Sequence, residues 1–321
     1  GKARAEGARA GLFSRLAGGT AQPWVPVAFL AALTLLVGAW AASRSDVFLT
    51  AINLRHLLLA LAPAAIVALA QLVVLLVRGL DVSVGSVMSL TVVAASFVIA
   101  GGGAGPILLG VLACLALGAL VGLANGALIR FAGINAVITT IAMLSVLGGV
   151  ALVLRPTPAG LIDPGFAEVM RMRIGWLPVS TVLILALALA GDWWLNRTRA
   201  GLEVRAVGFR EEAARRNGVA VDQVQVRAYV IAGMLAALAG LFLGSEVGVG
   251  HPTIGQNYAL ASIAAAVLGG AALAGGRGSF LGALAGALFF TLMINVLSIL
   301  GLSSAVGVIA SGVLTLLAIF L

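Results

Sequence analysis

Apolar runs of about 20 residues, parted by short polar or glycine-rich breaks, follow one another along almost the whole chain. A helix of about that length crosses the roughly 30 Å of a bilayer's hydrocarbon. The runs predict spans near 24–42, 56–77, 84–101, 106–129, 134–154, 176–195, 226–248, 254–274, 279–300 and 303–321. They are continuous and rich in Ala, Leu and Gly, whereas the strands of a closed barrel would alternate over segments of about ten residues. The expected class is all-α: a polytopic membrane protein of about ten transmembrane helices, with two broken or short helical elements around 79–105 and 254–279. Residues 1–23 form a basic segment before the first run, with no short apolar core and cleavage site behind it, so 24–42 reads as an uncleaved span. Residues 24–321 form a single transmembrane domain, interrupted by one long polar loop at 196–227.

Composition demands the same environment. Hydrophobic residues make up 62% of the chain and charged residues 9%, with a mean hydropathy of +1.17. That leaves too few charges to cover the surface of a soluble domain. When the spans alternate sides, one side collects Lys2, Arg4, Arg9, Arg15, Arg78, Arg130, Arg277 and the seven arginines from Asn196 to Arg227, which is 14 of the 19 basic residues. Arg44, Arg55, Arg155, Arg171 and Arg173 are the other 5. The imbalance follows the positive-inside rule and predicts both termini in the cytoplasm. The pI near 11.3 does not indicate nucleic acid as a partner, because the charge lies along membrane flanks rather than over one face with interleaved aromatics.

Absences narrow the chemistry. Lys2 is the sole lysine, so the membrane part can build neither a phosphate-binding P-loop nor a Schiff base. His56 and His251 have no cysteine or paired carboxylate close in sequence, so no metal site is expected. Cys114 lies in the middle of a predicted helix and reads as a packing residue. No G-x-S-x-G elbow appears. No enzyme activity, catalytic residue or cofactor is assigned to the chain.

Charges inside spans carry more weight, because at the bilayer centre each costs at least ~2.5 kcal/mol. Asp81 lies in GLDVSVGS (79–86), where Gly79 and Gly85 interrupt two apolar runs. Such a break resembles the discontinuous helices that line transporter cavities, and it equally suits a turn in which Asp81 and Ser83 cap the next helix. Asp192 and Glu246 sit near span ends and read as solvated. A second glycine-rich break, with Gly275, Gly276 and Gly278, occurs in VLGGAALAGGRGS (267–279) and faces the same predicted side. Glycine and alanine at helical spacing, as in GVLACLALGALVGLANGAL (110–128), suit close helix packing.

The polar loop predicts a short helix of its own. In RAVGFREEAARRNGVAV (205–221), Gly208 precedes it, Glu211 and Glu212 begin it, Ala213 follows, Arg215 and Arg216 close it, and Asn217–Gly218 stops it. That charge order complements the helix dipole, and Gly218 supplies a left-handed cap. A capped, charged helix between two spans gives a soluble partner something to push.

GLDVSVGS (79–86), INAVITTIAML (134–144), AVGFREEAARRNGV (206–219) and VLGGAALAGGRGSFLGALAGAL (267–288), in that order, resemble the permease family of bacterial ABC importers for ribose, xylose, galactose and similar monosaccharides. The likeness runs through nearly the whole chain. The related permeases for branched-chain amino acids and nucleosides share the architecture, but the run from Asp81 to Gly85 is nearer the sugar group. The resemblance implies a ten-helix subunit of the bacterial inner membrane, paired with a second permease copy or a paralogue. It also implies two cytoplasmic ABC ATPase subunits, which bind ATP and Mg, and a periplasmic solute-binding protein docking chiefly on 155–175. The loop 206–219 corresponds to the family's coupling helix, which makes Glu211, Glu212, Arg215 and Arg216 the contacts with the ATPase. A solute path between two permease subunits would be lined by polar residues within the spans, with Asp81, Ser83, Asn125, Asn135, Thr139, Thr140 and Asn295 as candidates. Two positions depart from the usual pattern: Asn135 stands where a proline is expected, and Arg210 where a small polar residue is. An ion-coupled secondary transporter using Asp81 is the competing reading.

Overall fold

The structure, a computed structural model, describes residues 25–302 and the isolated positions Val306, Ile309, Gly312, Val313 and Leu316. The basic segment 1–23 and most of the predicted tenth span lie outside the described residues. The described chain is mostly helical. In order it forms α1 (Val25–Arg44), α2 (Ala51–Leu76), α3 (Val84–Val98), α4 (Ala104–Arg130), α5 (Ala136–Leu154), α6 (Pro164–Met170), α7 (Val179–Arg197), α8 (Arg199–Phe209), α9 (Glu211–Arg216), α10 (Val221–Val247), α11 (Tyr258–Leu268) and α12 (Phe280–Ile299). Four strands of two or three residues complete it: β1 (Ala159–Leu161) pairs antiparallel with β4 (Val249–Gly250), and β2 (Arg173–Ile174) with β3 (Leu177–Pro178).

Seven helices, α1, α2, α4, α5, α7, α10 and α12, are long and apolar enough to cross a membrane. The expectation of ten is not met among the described residues. With 15 and 11 residues, α3 and α11 reach only about 22 and 16 Å. The physical cause at α11 is glycine: Gly270, Gly275, Gly276 and Gly278 all take positive φ, so Ala271, Ala272 and Leu273 leave the helix although their side chains are apolar.

α10 is the axis of the bundle, packed against α4, α2 and α3. Small residues bring α10 and α4 into backbone contact. A Cβ at Gly118 would strike the Gly233 carbonyl oxygen, and one at Gly122 the Tyr229 carbonyl oxygen. Close backbone approach is how helices associate where lipid removes the hydrophobic drive. α12 meets α11 in the same way, through Gly282 against Gly269 and Gly286 against Ala265. Large side chains such as Leu35, Leu120 and Val153 point outward from α1, α4 and α5, leaving apolar faces for lipid or another apolar surface to cover.

The two glycine-rich breaks meet at one end of the bundle. The Gly276 N–H donates to the Leu76 carbonyl at 3.0 Å, and Arg78, at φ 64°, donates from Nε to the Ala274 carbonyl at 2.9 Å. α8 lies on this junction, because a Cβ at Gly208 would run into the Leu76 oxygen and the Gly276 nitrogen. Arg205 adds a hydrogen bond to the Gly278 carbonyl at 3.3 Å. At the opposite end, Arg155 stacks on Phe97 at 4.0 Å, and Arg171 donates to the carbonyls of Ser245 and Glu246 at 2.9 and 3.0 Å.

Candidate functional site

The short charged helix occurs where the residues predict it. α9 runs from Glu211 to Arg216. Gly218, at φ 81°, ends it with the paired bonds Val219 N–H to Ala214 O at 3.1 Å and Gly218 N–H to Arg215 O at 3.0 Å, the Schellman arrangement. Extended backbone at Arg210 separates α9 from α8. The charges divide by face. Glu212 and Arg216 are 73% and 78% exposed and pair only with each other. Glu211 and Arg215 turn toward the bundle, where Arg130 at the end of α4 donates to Glu211 at 2.9 Å and also bonds Asp222. Arg215 bonds the same Asp222 oxygen at 2.9 Å. The Asp222 carboxylate holds the Arg215 guanidinium still further up than its ordinary range. Beside this cluster, Leu202, Ala206 and the Asn217–Val219 turn line an open groove of about 420 Å³.

The polar residues singled out within the spans fall into three places. Asp81, Ser83 and Asn125 come together, buried. The Asp81 carboxylate accepts from the Ser83 N–H at 2.9 Å and the Ser83 hydroxyl at 2.6 Å, and Asn125 on α4 donates to Ser83 Oγ at 2.9 Å. Asp81 thus fixes the turn that leads into α3 by holding its N-cap residue Ser83, while Asn125 ties that start to α4. Gly79 is required nearby, because a Cβ there would crowd Tyr229 and Val74. Gly85 lies against the Gly255 carbonyl. Thr140 is buried on α5 and bonds the Ala136 carbonyl at 2.9 Å, with a longer contact of 3.4 Å to Leu80 O. Thr139 is buried beside it, and Asn135 caps α5 by accepting from the Val137 N–H at 2.9 Å.

Asn295 stands apart from the other six. It exchanges amide hydrogen bonds with Asn53 at 2.9 and 3.3 Å, joining α12 to α2. It alone of the seven lines a cavity of about 1400 Å³ enclosed by α2, α11 and α12. Arg55, His56, Gln256, Asn257, Glu246 and Arg171 supply its polar groups at the end away from α9. Ala64, Val67, Ala265 and Ala287 form an apolar lower part. Below them the chain enters the two joined breaks.

The sequence pattern left Arg55, Gln256 and Asn257 without a role and made Glu246 look solvated; they meet only in the folded chain. Asp192 is also more than a solvated end. Its two carboxylate oxygens accept from the Phe280 and Leu281 N–H groups at 2.7 and 3.1 Å, so α7 caps α12.

The described residues thus combine a bundle of apolar helices, two joined breaks, a capped charged helix and a cavity among α2, α11 and α12. The sequence model of the family described as "Branched-chain amino acid transport system / permease component" matches residues 53–319. The chain belongs to this permease family. Among its relatives, the ribose import permease protein RbsC of Escherichia coli K12 is 36% identical over 299 residues, 90% of this chain and 91% of the relative. RbsC of Bacillus subtilis 168 is 34% identical over 281 residues, 85% of each chain. The autoinducer 2 import system permease protein LsrC of Enterobacter sp. 638 is 34% identical over 262 residues, 78% of this chain and 74% of the relative. No solved structure matches. The permease is a multi-pass membrane protein and not an enzyme.

Proposed function

We propose that the permease is the transmembrane subunit of a bacterial inner-membrane ABC importer and forms the path for a monosaccharide. A periplasmic binding protein delivers the solute, and separate ATPase subunits that bind ATP and Mg drive its passage. Relatives named for ribose import support the sugar class, which makes ribose the first solute to try. Family membership weighs against the ion-coupled alternative.

The observation that carries the reading is the contact between α8 and the two breaks beneath the cavity, through Gly208, Leu76 and Gly276. A partner that moves α8 and α9 moves the loops from which α3 and α12 start, and those lie under the floor of the cavity. Alternating access needs such a link between the energised side and the solute path. Glu212 and Arg216, exposed on α9, with Gly208, Ala213 and Gly218 shaping their frame, form the surface offered to the ATPase. Both termini and the α8–α9 end lie in the cytoplasm in this reading, with the polar end of the cavity toward the periplasm. A second permease copy or a paralogue covers one of the apolar faces, and lipid the rest.

The test is to co-express the permease with candidate ABC ATPase and solute-binding proteins from the same genome, reconstitute the complex in nanodiscs, and assay ATP hydrolysis with a panel of sugars. Stimulation by one loaded binding protein is expected. Purification of the permease without any ATPase, together with solute flux down an ion gradient, would overturn the proposal.

A further inference from the structure

α9 has six residues, too few to stand as a helix on their own hydrogen bonds. Only Ala214 of the six is buried. Something outside α9 must therefore hold it. Arg130, in the last turn of α4, bonds Glu211 on α9 at 2.9 Å, Gln225 on α10 at 3.2 Å, and Asp222 at the start of α10. Arg215 closes the ring, reaching Asp222 at 2.9 Å and Glu211 at 3.4 Å. Arg130, at 22%, is less exposed than Glu211, Asp222 and Arg215, and it is the one member from outside the stretch 211–225.

The far side of Arg130 leads into the bundle. α4 is locked to α10 at Gly118 and Gly122, so the two move as one body. On α4, one turn and a residue before Arg130, Asn125 holds Ser83 at the cap of α3. The route is continuous: α9, Arg130, α4, Asn125, Ser83, α3. Exposed and half-exposed ion pairs contribute little to stability. The arrangement is better suited to transmitting position than to holding the fold together.

We infer that Arg130 is the positioning residue that transmits movement of α9 to the α4–α10 pair, and that it couples ATP hydrolysis to opening of the solute path without itself touching ATPase or solute. The inference rests on the importer reading above. It separates two faces of α9, with Glu212 and Arg216 turned to the partner, Glu211 bonded to Arg130, and Arg215 bonded to the Asp222 that Arg130 also holds.

The experiment uses the full complex in nanodiscs, with ribose and the binding protein that the test above identifies as probe. It measures assembly, basal ATP hydrolysis, stimulation by loaded binding protein, and ribose moved per ATP. Arg130→Gln is expected to assemble and to hydrolyse ATP at the basal rate, while stimulation and ribose moved per ATP fall at least fivefold. Arg130→Lys, which keeps the charge but not the forked geometry, is expected to recover part of the loss. Adding Glu211→Gln to Arg130→Gln is expected to cost little more, since both changes cut one link. Wild-type coupling in Arg130→Gln overturns the inference, as does equal loss in the Lys and Gln variants together with failed assembly, which marks Arg130 as a fold residue. If the wild-type complex itself shows no stimulation, the importer reading fails first, and the inference falls with it.

Discussion

The Leu76 carbonyl accepts a hydrogen bond from the Gly276 N–H at 3.0 Å, joining the end of one long helix to a break in the other half of the chain. Gly208 packs on that bond from the side. Three segments with no sequence proximity share one point, and each leads to a different part of the molecule. α2 runs to the cavity wall, the second break to α12, and α8 to the charged helix.

Gly208→Val places a branched side chain against the Leu76 oxygen and the Gly276 backbone. Overpacking of this kind costs about 1–3 kcal/mol. A lower thermal unfolding midpoint in detergent is expected, with uncoupled ATP hydrolysis in whatever complex assembles. A variant with wild-type midpoint and wild-type coupling would show that α8 does not bear on the junction.

Along the α4–α10 contact, Gly122→Ala drives a methyl group into the Tyr229 carbonyl and should destabilise the permease by about 1–3 kcal/mol. Gly149→Ala on α5 meets nothing within 4 Å. There, helix propensity predicts a gain of up to about 1 kcal/mol. The two midpoints, measured side by side, should shift in opposite directions; a shared direction would argue against backbone contact at Gly122.

Asp192→Ala removes both acceptors from the first N–H groups of α12. Loss of such a cap costs about 0.5–2 kcal/mol, and the negative charge near a helix N-terminus adds to the loss. Asp192→Asn keeps an acceptor and should retain part of the stability. Equal midpoints for the wild type and the Ala variant would mean that water replaces the cap at no cost.

These residues show which features a sequence exposes. α9 was legible because its signals are local: acidic residues at its start, basic ones at its end, and a glycine at the position that needs φ near 81°. The glycine spacing of α4 likewise announced close packing, and GLDVSVGS announced a break. Contacts whose determinants lie far apart in the chain are not legible in this way. Asp192 serves a helix that begins 88 residues later, and Arg130 finds carboxylates 81 and 92 residues away. The second break is legible from its glycines but its start is not, because hydropathy counts Ala271 and Leu273 toward a span that the φ angles of their glycine neighbours end early. The cavity drew its polar groups from separate stretches of the chain, and only Asn295 among them stood out as a polar residue inside a span.

The cavity allows a test of where the solute path runs. Ala261 on α11 lines it and is only partly buried, so a phenylalanine there projects into open space instead of into packed core. Ala261→Phe should keep the fold, the unfolding midpoint and the complex with the ATPase. If solute crosses through this cavity, the ring narrows it, and ribose flux should fall at least tenfold while ATP hydrolysis persists. If the path runs between two permease copies and the cavity is a side chamber, flux stays at the wild-type level. Transport and ATPase assays on one reconstituted sample separate the two routes, because an assembled, hydrolysing complex that fails to move ribose locates the obstruction within a single permease chain.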